Sequence, residues 1–211
     1  MTANTTWVDG LKVSTLCWGA PTLVHTTYDA MREDILSGHM WPGVKLRAEQ
    51  LKTHYGVGAS TLREALNLLV GEALVASEGQ RGFRVTLMSE DDFRDIVRVR
   101  KILETQALRE SIAHGDDRWE GGIASAFHML SKIESRVPDD PVGLSGEWEA
   151  CNRAFHAAMV AACSSRWLHY FINTLFQQSE RYRRIALILS QGQSKRKRDV
   201  HAEHEAILIP L

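Results

Sequence analysis

Asn152 and His156 stand four residues apart in the run Asn152-Arg153-Ala154-Phe155-His156. On a helix that spacing puts both on one face, where both can point into a core. An amide oxygen and an imidazole so placed are either a hydrogen-bonded core pair or two ligands of a metal ion. His204 follows His201 by one helical turn near the other end of the sequence, and His128 and His169 are further imidazoles by type alone. A second set is cationic. Arg181, Tyr182, Arg183 and Arg184 are consecutive, and Arg100 stands in Val99-Arg100-Lys101-Ile102-Leu103-Glu104. A guanidinium meets a carboxylate with a two-point fork, and the Tyr182 hydroxyl could add a donor. Ordinary ion pairs, Arg100 with Glu104 or Arg181 with Glu180, use the same residues differently. Three arginines within a turn and a half cannot all face inward, so at least one is expected in solvent. No HExxH spacing and no nucleophile beside a base is present, which speaks against a metal-dependent enzyme.

These residues need a helical frame, and the periodicity supplies one. Ser89 followed by Glu90, Asp91 and Asp92 reads as a capped helix start, with acids at the positive end of the helix dipole. Ile96, Val99, Leu103, Ala107 and Leu108 then form one face. Further helical stretches run over about 116–137, 147–163, 167–189 and 198–208, with no strand expected after residue 88. Residues 89–211 therefore read as an all-α bundle, a separate domain. The basic run Lys195-Arg196-Lys197-Arg198 falls in its last loop as a solvated segment.

Residues 25–88 read differently. A helix capped at Thr26 or Thr27 carries Tyr28, Met31, Ile35 and Leu36 inward. Lys45-Leu46 suits a strand edge. A second helix ends at Gly56, and a third opens at Ala59 or Ser60, with Glu64 near a capping-box spacing. Leu74-Val75 and the alternating Phe83, Val85 and Leu87 flank Gly79-Gln80-Arg81-Gly82, a hairpin signal. Helix, helix, turn, helix and hairpin make a winged helix-turn-helix. The N-terminal end of a helix in the major groove reads bases, which selects Ser60, Thr61 and Arg63. Arg47, before the second helix, is placed for phosphate contact. Gln80 and Arg81 form the wing tip, between glycines that let the backbone come close to DNA. Residues 1–24 show no clean periodicity and read as an arm.

Composition sets the limits. The 211 residues carry 25 Lys and Arg against 26 Asp and Glu, a formal charge of −1. That excludes a uniformly basic coat for nucleic acid but permits a basic face. Residues 26–88 hold seven basic and seven acidic side chains, so one such module makes few phosphate contacts. Tight binding then asks for a homodimer on a two-fold site. No apolar run reaches the roughly 18–20 residues of a membrane span, and no signal peptide is expected at the start. Three cysteines without CxxC spacing fit a cytoplasmic protein.

Four motifs in order, Val57–Leu66 with Gly79–Val85, Val99–Glu104, Asn152–His156 and Glu203-His204, resemble the GntR family of transcription regulators, in its FadR-type branch with an FCD ligand-binding domain. The resemblance covers roughly residues 22–208. It implies a DNA-binding regulator, in most members a repressor, released from double-stranded operator DNA by a small organic acid. It implies effector binding and dimerisation by residues 89–211, DNA contact by Arg63, a wing probe at Gln80 and Arg81, and an effector carboxylate at Arg100. It also implies a divalent metal (Zn, Ni or Mn) on Asn152, His156 and His204. Ala59 stands where many members carry Arg, which removes one base contact. Asn152 stands for the commoner Asp, and the helix that carries the family's last histidine is expected to be missing beyond Leu211. A groove of apolar side chains on the third and fourth bundle helices should then lie open. The readings that compete are a metal-dependent enzyme acting on a small carboxylate, and a chain that binds DNA without sensing ligand.

Overall fold

The computed structural model describes residues 22–189 and 199–208, together with the backbone of residues 5–8 and 11–14. The basic run at 195–198 lies outside the described residues. In the arm, β1 (Thr5–Val8) and β2 (Leu11–Ser14) pair antiparallel with Thr5 opposite Ser14. The sequence does not signal this pairing, because strands of four residues are too short to show a periodicity.

The head begins with α1 (Leu23–Leu36), whose cap is Thr22, accepting from the His25 amide, and not Thr26 or Thr27. Thr27 is buried and donates to the Leu23 carbonyl at 2.7 Å, so its hydroxyl is satisfied inside the first turn. Met31, Ile35 and Leu36 form the buried stripe. β3 (Lys45–Leu46) leads into α2 (Ala48–Tyr55), which stops at Gly56 in the left-handed conformation. α3 (Ala59–Gly71) buries Leu62, Ala65, Leu66 and Leu69 against α1. Its cap is Gly58, without a side-chain bond, so the capping box expected from Ser60 and Glu64 does not form. The helix starts before Ser60, which therefore sits within its first turn.

β4 (Val75–Ser77) and β5 (Phe83–Val85) form the wing, joined by a 3-10 turn over Gly79–Arg81. β3 adds to the free edge of β5, so the sheet has the order β3-β5-β4, antiparallel, with Lys45 opposite Arg84. Leu46, Leu74, Val75 and Val85 turn inward from it and close the head's core over α1 and α3.

The bundle comprises α4 (Glu90–His114), α5 (Asp117–Glu134), α6 (Ser145–Met159), α7 (Arg166–Leu189) and α8 (Val200–Leu208). Ser89 caps α4 by accepting from the Asp92 amide, and Asp116 caps α5 through the Trp119 amide. The principal pairings are α5 with α6 and α4 with α7. Ile123, Leu130, Ile133, Phe155 and Met159 fill the first interface, and Ala107, Val160, Cys163 and Ile172 fill a second core. α7 also packs on α1 of the head. There Gly38 has φ +79°, and a Cβ would lie 3.1 Å from Ile188 and 3.3 Å from Ile185, so glycine serves both the turn and the close approach. No helix among the described residues is long and apolar enough to cross a membrane.

Candidate effector pocket and DNA-reading head

Phe176, 2% exposed on α7, lies at the centre of the bundle's polar site. Three guanidiniums surround its ring. Arg100 of α4 is 4.7 Å from the centroid, Arg183 of α7 is 4.8 Å, and Arg153 of α6 is 5.8 Å. Cations gather over an aromatic face because its quadrupole is negative there. Arg100 donates to the Ser179 hydroxyl at 2.8 Å and Arg183 at 3.1 Å, so that hydroxyl sits between two cations. Each guanidinium also has a carboxylate: Glu104 for Arg100, Glu149 for Arg183 and Glu180 for Arg153. Burial pushes the Glu149 carboxyl up, even against Arg183. The Arg100–Glu104 pair foreseen as an alternative to ligand binding therefore exists, and the same guanidinium still lies over the Phe176 ring.

His156 continues this wall, its ring 5.7 Å from Phe176. Burial, and then the charges of Arg100, His204 and Arg183, push its pKa down to about 3. The imidazole is therefore neutral at neutral pH and keeps a lone pair. His204, 6% exposed, lies edge-on to it at 5.8 Å between centroids. Glu134, at the end of α5, accepts from Nδ1 of His204 and from Nδ1 of His201, both at 2.8 Å. With the proton held on Nδ1, a neutral His204 presents Nε2 as a donor atom. Asn152 is 4% exposed, and its Oδ1 is buried without a hydrogen-bond partner. An orphaned buried carbonyl and two imidazoles form a donor set that suits a borderline dication. Among the described residues, no three His, Cys, Asp or Glu side chains converge as a complete metal cluster.

Arg181 and Tyr182 do not join this pocket, which corrects their reading as effector ligands. Arg181, 3% exposed, donates to the Thr86 carbonyl at the head–bundle junction. Tyr182 stacks on Phe93 and donates to the Asp92 carboxylate. Nor is any arginine of the triplet solvated. Arg183 faces the pocket with its side chain 25% exposed, and Arg184, at 6%, clasps Glu33 of α1. Successive residues project about 100° apart, so three neighbours find three different partners. Arg153 and Glu134 were not singled out, and Arg183 was named among the cations without being placed on the effector. Arg183 follows Ser179 by four and Phe176 by seven, a stripe that the sequence already displays. Glu134 has no such signal, being 70 positions from His204.

In the head, Ser60 and Arg63 are exposed on α3 and Thr61 is half-buried. Arg47 and Arg81 are exposed as well, and the Gln80 side chain lies outside the described residues. Neither Arg47 nor Arg63 makes an ion pair among the described residues, unlike Arg84, which is held by Glu78 and the Gly43 carbonyl. The uncapped first turn of α3 leaves backbone N–H groups free, a natural seat for phosphate.

Comparison with known proteins agrees with this architecture. Residues 23–85 match the bacterial regulatory proteins of the gntR family, and residues 95–209 match the FCD domain. The HTH-type transcriptional regulator BphR of Paraburkholderia xenovorans is 44% identical over 185 residues, covering 88% of this chain and 74% of that protein. The HTH-type transcriptional repressor GlaR of Escherichia coli is 36% identical over 180 residues, 85% of this chain and 81% of that one. A GntR transcriptional regulator from Rhodococcus sp. RHA1 shares the fold with a TM-score of 0.60 at 20% identity, over 88% of this chain and 81% of that one. The relatives and both matched domains are those of transcription regulators, not of enzymes. With a helix-turn-helix head, a β wing and a helical bundle in this order, the chain belongs to the GntR family of DNA-binding transcription regulators and carries an FCD domain.

Proposed function

We propose that this regulator is a cytoplasmic, homodimeric repressor whose hold on operator DNA is released by a small carboxylate bound in the bundle. The observation that carries the reading is the set of three guanidiniums around Phe176, beside a neutral His156 and an orphaned Asn152 oxygen. Arg100 and Arg183 are the arms for the acid, since both also share the Ser179 hydroxyl. Asn152, His156 and His204 would hold a divalent ion, which supplies further positive charge for the carboxylate. Glu134 fixes the His204 ring for that task. Ser60, Thr61 and Arg63 read bases, while Arg47 and the wing tip at Gln80 and Arg81 fix position on the duplex. A dimer is supported by the limited basic charge of one head. The aromatic patch of Trp167, Tyr170 and Phe171 on α7, each about half exposed, supports it too.

The test is a thermal-shift screen of di- and hydroxycarboxylates on the full chain, with and without Zn²⁺, repeated on Arg183→Met. A ligand at 100 times its Kd adds about 2.7 kcal/mol of stability. The expected result is a melting shift in the wild type that Arg183→Met abolishes. An equal shift in both proteins would place the acid elsewhere.

A further inference from the structure

α7 carries two stripes. Phe176, Ser179 and Arg183 face the pocket. Arg181, Ile185 and Ile188 face the head, and Gln178 joins them by donating to the Glu72 carbonyl. At about 100° per residue, Glu180 and Arg184 project between the two stripes. Glu180 is 4% exposed and meets three guanidiniums: Arg153 at 2.5 Å, Arg184 at 3.5 Å and Arg32 at 3.9 Å. Arg153 belongs to the pocket. Arg32 belongs to α1 of the head, as does Glu33, which Arg184 clasps. The other two pocket arginines are paired inside the bundle, Arg100 with Glu104 and Arg183 with Glu149. Neither of those acids pairs with a head residue among the described residues. One pocket cation alone therefore shares its counter-ion with the DNA-reading head.

We propose that Glu180 couples the pocket to the head. An anion seated among Arg100, Arg153 and Arg183 draws Arg153 away from Glu180. Glu180 then closes on Arg32 and Arg184, Arg184 loosens its clasp on Glu33, and α1 is re-seated against α7. Two features prepare this exchange. The Nε of Arg153 is buried without a partner, so the guanidinium has a donor to spare for the anion. A cavity of about 180 Å³, lined by Glu33, Ser37 and Arg184 among others, leaves the clasp room to rearrange. Glu180 acts through its neighbours and need not touch the ligand. The coupling rests on the reading of the pocket as an effector site, but its test requires no effector.

The probe is a duplex selected from a random pool by the wild-type chain. Its Kd is measured for the wild type, Arg153→Met, Glu180→Gln and the double variant. Arg153→Met vacates Glu180 as the anion would. The expected result is a Kd weakened at least about 5-fold, the lower end of ordinary allosteric couplings. Made in the Glu180→Gln background, the same change should have almost no effect. Arg136→Met with Glu147→Gln is the control, an ion pair of the bundle at 3.1 Å that involves neither a pocket arginine nor a head residue, and should leave the Kd within about 2-fold. An Arg153→Met effect that is absent, that persists without Glu180, or that the control pair reproduces overturns the coupling. If Arg153→Met does not fold, Arg153→Lys retracts the fork while keeping the charge. It should give a smaller change of the same sign, and wild-type affinity in both backgrounds would equally overturn the proposal. Carboxylates that fail to bind while the cycle shows coupling would remove the effector reading alone. Carboxylates that release DNA while the cycle is flat would remove the coupling alone.

Discussion

Replacing Glu134 with Gln removes one of two hydrogen-bond acceptors from a carboxylate that serves two histidines. Its side chain is 8% exposed and receives Nδ1–H of His201 and of His204, each at 2.8 Å. Glutamine keeps one acceptor oxygen and turns an NH2 group toward the other ring, so one imidazole loses its orientation. Loss of an outer carboxylate of this kind costs about 10–100-fold in metal affinity. At about 1.36 kcal/mol per tenfold step, that is about 1.4–2.7 kcal/mol. The assay is competition for Zn²⁺ between the protein and a chromophoric chelator, with circular dichroism to follow the helices. His156→Ala should lose the ion altogether, and Glu134→Gln should retain it with affinity reduced by that factor. A Glu134→Gln protein within about twofold of wild type, beside a His156→Ala protein that does not bind, would refute the orienting role. A wild-type chain with no stoichiometric uptake would refute the donor set itself.

Other consequences are as direct. Arg63→Ala should leave the fold intact, cost about 1–3 kcal/mol of specific operator affinity and relax preference at one base position, as read by titration against single-base variants; unchanged discrimination would dismiss Arg63 as a base reader. The Glu134 hydrogen bond holds the pKa of His201 above its ordinary value. Its contribution to stability is thus fully present below about 6.5 and is lost as pH rises through the raised pKa. NMR titration should show that midpoint falling back toward the ordinary value in Glu134→Gln, and an unmoved midpoint would assign the shift elsewhere. Tyr182→Phe removes the donor to Asp92 at the junction, so the melting temperature should fall by the equivalent of about 1 kcal/mol, with carboxylate binding unaffected. A loss of binding there would return Tyr182 to the pocket.

The helical frame was legible because its signals are local. Ser89 with three following acids marks the start of α4, and the apolar stripe repeats within each helix. The three-stranded sheet was half legible. The wing hairpin announces itself through Gly79 and Gly82, whereas β3 pairs with β5 across 39 positions, from Lys45 to Arg84. The cap of α1 was misplaced because three threonines lie near its start, and only the path of the chain shows that Thr22 caps while Thr27 bonds back into the helix. In the pocket, Asn152 and His156 are readable as a pair on one face. The partners Glu134 and Glu180 are not, since each acts across a tertiary contact. Arg181 and Arg183 are alike by residue type, and the angular position relative to Phe176 and Ser179 separates them.

The two stripes of α7 also bear on how such a regulator can diverge. On the proposed reading, ligand preference would lie on Phe176, Ser179 and Arg183, while the seat of the head lies on Arg181, Ile185 and Ile188. Substitutions can accumulate on the first stripe, one at a time, without disturbing the second, so descendants can acquire new chemical signals while inheriting the same linkage to DNA. Glu180 and Arg184 fall on neither stripe. They are where drift should be least tolerated, because a change at either is felt by sensor and reader together.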